Sequence, residues 1–253
     1  MHAMSTNVLV TGMSGLIGSA VRRELEDKYK LSALNRSAVS GISTTRASLD
    51  HYTEILPAFR HQETVIHLAA RISDSAGWQA LLDTNVTGTR NVLEAARECG
   101  VKRVVFASSG ATVSGWEKVE PYKALVEGRY DEVGDIPLID ESMATRPGNV
   151  YASTKVWGES IARHYANAYG LEVVCLRIGF ANREDKPTNA RQFSVWNSQR
   201  DVVSAIQLAM TVDLPEKYDV FFILSDNLRG YRNLTHARSR LGFVPSDSAE
   251  SFR

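Results

Sequence analysis

The feature that most restricts this chain is Thr11-Gly12-Met13-Ser14-Gly15-Leu16-Ile17-Gly18, with glycines three residues apart between segments of different hydrophobic period. Before it, Asn7 to Thr11 (NVLVT) is a short β-branched run; after it, Leu16, Ile17, Ala20, Val21 and Leu25 recur at helical spacing. Strand, turn and helix in that order predict a first βαβ unit. There the first glycine supports a tight turn, the second lets backbone approach a pyrophosphate, and the third permits close helix packing, while the helix N-terminus supplies N–H donors and positive potential. A dinucleotide is expected on Gly12, Ser14, Gly15, Leu16, Ile17 and Gly18.

The alternation continues. Strands are expected at residues 31–34, 64–68, 101–107, 171–178 and 220–224, and helices at 51–60, 78–99, 151–169, 201–211 and 233–241. Continuous apolar strands between helices predict an α/β fold, a doubly wound parallel sheet of the Rossmann kind covered on both faces. Residues 114–147 hold several prolines, glycines and charges and are long for a connection, which suggests a lid-like insertion. The expected organisation is a dinucleotide-binding domain over residues 1–179 carrying that insertion, and a small substrate-binding lobe over 180–253 that is not an independent domain.

Composition narrows the function. The 253 residues carry 29 Lys+Arg against 29 Asp+Glu, so no basic excess points to nucleic acid or an anionic membrane. No apolar run approaches the ~18 residues of a membrane span, and the polar N-terminal stretch lacks the charged and apolar segments of a leader. Cys99 and Cys175 lie far apart in apolar contexts, which fits a reducing cytoplasm. The six histidines show no ligand spacing, so no metal is expected. His67 reads as a packing residue at a strand end, Glu159 and Asp201 as helix-surface acids.

The end of the second strand, Leu34-Asn35-Arg36-Ser37, has no acid to take ribose hydroxyls and offers an arginine suited to a 2′-phosphate. NADP is therefore favoured, with NAD as the alternative. Downstream, Tyr151 and Lys155 are four residues apart at a helix start and share one face. An ammonium beside a phenol favours the phenolate and would draw the Tyr pKa toward neutrality, giving a general base for an alcohol proton. Ser108-Ser109 ends a strand at the carboxyl edge of the sheet, where ligands bind in open α/β folds, and its hydroxyl can bond the same oxygen.

With these residues, and with His67-Leu68-Ala69-Ala70, the run from Asn85 to Leu93, Leu176-Arg177-Ile178-Gly179 and Leu241-Gly242-Phe243, the chain resembles the extended, epimerase/dehydratase-like branch of the short-chain dehydrogenase/reductase superfamily. The resemblance covers nearly the whole chain. It implies that Ser109 and Tyr151 bind the reacting oxygen, that Lys155 holds the nicotinamide ribose and tunes Tyr151, and that the Asn85 helix braces the sheet. It further implies Asn35, Arg36, Ser48, Leu49, Leu68, Ala69, Ala70, Asn85 and Ile178 as cofactor contacts, with Ser48 standing where the family often has an acid.

Little chain remains after Gly179 to hold a sugar nucleotide. The later segment, Arg191 to Trp196 and the ending from Gly242 to Phe252, looks most like uronate dehydrogenases, in which the arginine corresponding to Arg191 grips the substrate carboxylate. The planar guanidinium fork suits that task. Ser73, Ser109, Gly110, Phe180 and Arg191 are the expected substrate contacts. Gly110-Ala111 replaces a polar pair of those enzymes, and Phe180 a small polar residue, which points to a relative with a different substrate. The expected function is hydride transfer between NAD(P) and a small hydroxylated substrate, such as a sugar acid, by a homodimer. The alternatives are a sugar epimerase/dehydratase or a nonenzymatic NAD(P) sensor.

Overall fold

The computed structural model describes residues 6–253; residues 1–5, part of the stretch read as lacking a leader, lie outside the described residues. Strands β1 (Asn7–Thr11), β2 (Lys30–Asn35), β3 (Thr44–Arg46), β4 (Thr64–His67), β5 (Arg103–Ser109), β6 (Glu172–Ile178) and β7 (Tyr218–Ile223) form one sheet in the order β3-β2-β1-β4-β5-β6-β7. The registered pairs β1–β2, β1–β4, β2–β3 and β4–β5 are all parallel. β4 and most of β5 and β6 are buried on both faces, which is why these strands read as apolar runs without alternation. Strand order reverses at β1, so the carboxyl ends of β1 and β4 bound the crevice in which open α/β sheets bind ligands.

The main helices are α1 (Leu16–Leu25), α2 (Tyr52–Ile55), α3 (Trp78–Leu81), α4 (Gly88–Glu98), α5 (Tyr122–Glu127), α6 (Val150–Tyr169), α7 (Gln192–Val195) and α8 (Gln199–Ala209). Among the described residues none is long and apolar enough to cross a membrane. The helix expected over 78–99 is interrupted, because Leu82–Thr87 adopts the wider π-helical turn between α3 and α4. The helix expected over 51–60 tightens after Ile55 into a 3₁₀ turn, Leu56–Phe59, that has Pro57 in its first positions. β3 was not expected. Its Thr-Thr-Arg sequence has no apolar signal, and it pairs as a polar edge strand on β2.

The chain divides into two compact units. The first holds the residues up to Ala107 with Trp157–Cys175 and Asp213–Asp219. Its centre is the apolar strand set, Val8, Leu9, Val10, Val65 and Ile66, under Val21 and Leu25 of α1 and Val92 and Ala96 of α4, all buried. Gly158 of α6 belongs here, and a Cβ on it would stand 2.6 Å from the Phe106 ring, so the helix lies directly on that side chain.

The second unit comprises Ser108–Val156, Leu176–Val212 and Val220–Arg253. It has its own core of Val113, Tyr122, Leu125, Ile139, Val195, Phe222, Leu224 and Tyr231. Residues 114–147 thus share one hydrophobic cluster with chain beyond Gly179. A 3₁₀ stretch, Gly110–Lys118, leads from β5 into α5, which ends at Gly128 with φ +79°. Two acids read as surface residues are inside: Glu159 is buried on α6, and Asp201 of α8 is wholly buried.

Candidate functional site

In the first unit the glycine turn is fixed by its own backbone. Gly12 has φ +73°, and a Cβ there would lie 2.8 Å from the Ala69 backbone, so the turn needs glycine for its conformation and for the approach of the β4 end. A Cβ on Gly18 would meet the Gly12 carbonyl oxygen at 2.4 Å and Met13 Cα at 2.5 Å. The third glycine therefore admits the turn itself against α1. The α1 N-cap is Gly15, with no side chain capping the helix and no acid in its first turn. Free N–H donors and an uncompensated positive helix end suit a diphosphate.

The surrounding residues are set by strand ends. Thr11 Oγ1 accepts the Ala69 N–H at 3.2 Å and lies 2.7 Å from His67 Nδ1; His67 Nε2 is 3.2 Å from Thr89 Oγ1. His67 thus ties β4 to β1 and α4, as its packing role requires. Asn85, in the π-helical turn, accepts the Arg71 N–H and donates to the Arg71 carbonyl, both at 2.8 Å, and so fixes the chain leaving Leu68, Ala69 and Ala70. Asn35 is buried at the end of β2 with neither its Oδ1 nor its Nδ2 partnered. Such an orphaned carboxamide beside a glycine turn fits a ligand that bonds it.

Other expected contacts are differently engaged. Arg36 is exposed, and Ser48 bonds the Asp50 carboxylate, lowering the pKa of Asp50. Leu49 is buried and packs so close to Gly88 that a Cβ there would stand 2.7 Å from Leu49 Cβ. Ser73 is exposed and accepts the Ser75 N–H at 3.2 Å as the cap of a short turn, Asp74–Ala76.

Ser109, Tyr151 and Lys155 come together in the second unit. Asn149 Oδ1 accepts the Ala152 N–H at 2.8 Å, an N-cap that fixes the first turn of α6 and with it Tyr151 and Lys155. Lys155 is buried, its Nζ 5.9 Å from the centre of the Tyr151 ring. Ser109 Oγ accepts the Ala111 N–H at 3.1 Å and is hydrogen-bonded to the Tyr151 hydroxyl. The Tyr151 phenol is nevertheless not drawn toward neutrality as expected: burial raises its pKa, and the Ser109 bond only partly opposes that. Desolvation of a phenolate outweighs the favourable neighbours.

The second unit also answers for Arg191, Gly110, Phe180 and Ile178. Arg191 does not present a vacant fork. Its Nε and Nη2 donate to the two oxygens of Glu117 at 2.5 and 2.9 Å, a bidentate pair formed across 74 residues. Glu117 Oε1 also accepts the Tyr231 hydroxyl at 2.6 Å and lies 3.8 Å from Arg232 Nη2. Arg232 Nη2 in turn donates to the Gly110 carbonyl at 3.0 Å, and a Cβ on Gly110 would stand 2.5 Å from Arg232 Nη1. Gly110 is thus the seat of a buried arginine. Burial disfavours the Glu117 charge, but the Arg191 fork, Arg232 and Tyr231 hold its pKa below the ordinary carboxylate value. Phe180 is partly exposed and is tied through its backbone to Val195 and Asn197, while Ile178 is buried at the end of β6. Sequence reading missed Glu117, Tyr231 and Arg232, for Glu117 meets the adjacent Tyr231 and Arg232 only across 114 residues or more.

Comparison with known proteins places the chain in a family. The model of the "NAD dependent epimerase/dehydratase family" matches residues 8–182. A NAD-dependent glucose-6-phosphate dehydrogenase of Haloferax volcanii is 28% identical over 98% of this chain and 96% of its own length. A uronate dehydrogenase of Agrobacterium fabrum is 30% identical over 97% of this chain and 86% of its own. The crystal structure of a tyrosine-to-alanine mutant of uronate dehydrogenase from Agrobacterium tumefaciens, complexed with NAD, superposes with a TM-score of 0.84 at 28% identity, covering 98% of this chain and 88% of that one. The match runs from β1 through the glycine turn, Asn85, Ser109, Tyr151 and Lys155 to the end of β6, so the chain belongs to the NAD dependent epimerase/dehydratase family.

Proposed function

We propose that this protein is an NAD(P)-dependent dehydrogenase of a small sugar-like substrate, with Ser109, Tyr151 and Lys155 as its catalytic residues. The observation that carries the reading is the hydrogen bond between Ser109 and the Tyr151 hydroxyl, with Lys155 buried on the same helix face. When bound, the dinucleotide supplies a hydride acceptor or donor for the substrate carbon. Tyr151 takes the proton of the alcohol on oxidation and returns it on reduction. The Ala111 N–H bond fixes the Ser109 hydroxyl, which shares the substrate oxygen with Tyr151 and stabilises charge developing there. The Lys155 ammonium favours the anionic phenol and, by resemblance, holds the nicotinamide ribose.

The dinucleotide is assigned to Gly12, Ser14, Gly15, Leu16, Ile17 and Gly18, with Asn35 taking a polar group of the adenosine half. NADP is included because the ends of β2 and β3 present Arg36 and Arg46 and no acid. A homodimer through α4 and α6 is part of the proposal and is tested by light scattering. The decisive experiment follows nicotinamide absorbance with a panel of aldoses, uronic acids and sugar phosphates, each with NAD and with NADP. Turnover of one class, abolished by Tyr151→Phe, is the expected result. Dinucleotide binding without turnover on any of them would point instead to a sensor.

A further inference from the structure

We propose that Glu117 occupies the arginine fork from within, so that the site selects a sugar without a carboxylate, and that Glu117 is the specificity-determining residue. This deepens the dehydrogenase reading above and rests on it. The Glu117 side chain is 10% exposed and that of Arg191 39%, so the pair is far from a fully solvated surface bridge. Both Glu117 oxygens are engaged: one by Arg191 Nε, the other by Arg191 Nη2 and the Tyr231 hydroxyl. A bidentate pair uses the edge of the guanidinium that best fits a carboxylate.

A substrate carboxylate seeking that edge must displace Glu117, leaving a charged group without its partner inside the unit, or must stand beside it as a like charge. Arg232, 3.8 Å from Glu117 Oε1, and the Tyr231 hydroxyl offset either route only in part. The remaining cation, Arg232, has only 2% of its side chain exposed, and its Nη2 is spent on the Gly110 carbonyl and the Tyr231 hydroxyl. The cluster reaches the reaction centre through Gly110, which takes the Arg232 bond on its carbonyl and stands between Ser109 and the Ala111 N–H that holds the Ser109 hydroxyl. A neutral polyol brings no charge to the filled fork and evicts nothing.

The test compares kcat/KM for glucose and glucuronate, and for galactose and galacturonate, in the parent, Glu117→Gln, Arg191→Ala and the double variant. The parent is expected to favour the neutral sugar of the pair it turns over by about tenfold or more. Glu117→Gln keeps the shape, frees the fork and shifts the ratio toward the acid by about tenfold, and the double variant loses that gain. Arg191→Ala alone leaves the acid-to-neutral ratio within about threefold of the parent, because the fork was already filled. A parent that prefers the acid, a folded Glu117→Gln with an unchanged ratio, or an Arg191→Ala variant that discards an acid preference would each overturn the proposal.

A second measurement does not depend on turnover. Titration calorimetry of glucuronate with NAD present, in a Tyr151→Phe background, should show affinity rising by about tenfold when Glu117→Gln is added. Failure of every sugar to react sinks the dehydrogenase reading but leaves this arm in force, and no rise in affinity sinks the role of Glu117.

Discussion

Tyr151 is placed by a cap, a helix face and the hydrogen bond to Ser109, and burial raises the pKa of its phenol. A base held above its ordinary pKa works better as pH rises. Substrate oxidation should therefore accelerate toward alkaline pH and reduction should slow, because one direction needs the phenolate and the other the phenol. Tyr151→Phe removes the oxygen and little volume, so turnover should vanish while calorimetric dinucleotide affinity stays near the parent value; near-normal turnover would dispose of the mechanism. Arg36→Ala should weaken NADP more than NAD by about 1 to 2 kcal/mol, the lower range for a charged hydrogen bond at an exposed side chain. Equal losses for the two nucleotides, by the same titration, would return Arg36 to solvent. Tyr151 and Lys155 were legible in the sequence because their relation is local, four residues on one helix. Glu117 was not, since the fork it fills comes from a residue 74 positions away.

Among the elements, the glycine turn was legible in outline, and the structure changes the reason for one of its members. Gly18 was expected to let the helix approach the sheet, but a Cβ there meets the backbone of Gly12 and Met13 first. Gly18→Ala cannot be relieved by a rotamer change, because the opposing atoms are main chain. It should cost about 2 kcal/mol or more of stability, seen in thermal or urea unfolding, and should loosen dinucleotide binding as the turn shifts. Gly15→Ala, whose Cβ would be 3.2 Å from the Gly12 carbonyl oxygen, is the milder control. Equal effects of the two substitutions would show that the packing at Gly18 is not what the motif protects. The helix over 78–99 was legible as helical but not as broken. Periodicity records which face is apolar, whereas the π turn that aims Asn85 at Arg71 changes the hydrogen-bond ladder and leaves the apolar face in place.

For the whole molecule, alternation of strand and helix was enough to predict the parallel sheet, because burial on both faces writes itself into each strand. Tail anchoring was invisible, because it depends on an acid that sequence places on a helix surface. Asp201 of α8 is wholly buried and accepts the Ser246 N–H at 2.7 Å, the Asp247 N–H at 3.2 Å and the Ser225 hydroxyl at 2.6 Å. Ser198, the cap of α8, accepts the Asp201 N–H at 3.0 Å and donates to the Asp247 carboxylate at 2.7 Å, closing a loop of bonds between the helix start and the tail. Asp201→Ala strips acceptors from two main-chain donors and one hydroxyl at once. Each stranded polar group costs about 1–3 kcal/mol, reduced where water can enter from the half-exposed tail, so a loss of roughly 2 to 4 kcal/mol is expected. For a chain of this size that lowers Tm by roughly 5 to 12 °C in a scanning experiment and opens the tail to limited proteolysis. Arg200→Ala removes a neighbouring pair with Asp247 in which the arginine is two-thirds exposed, and should change Tm little. If both variants lowered Tm by the same small amount, Asp201 would not be the anchor, and the tail would be held by the packing of Ala249 and Phe243 together with its other bonds, such as Asp226 N–H to the Asp247 carbonyl and Ala249 N–H to Asn227 Oδ1.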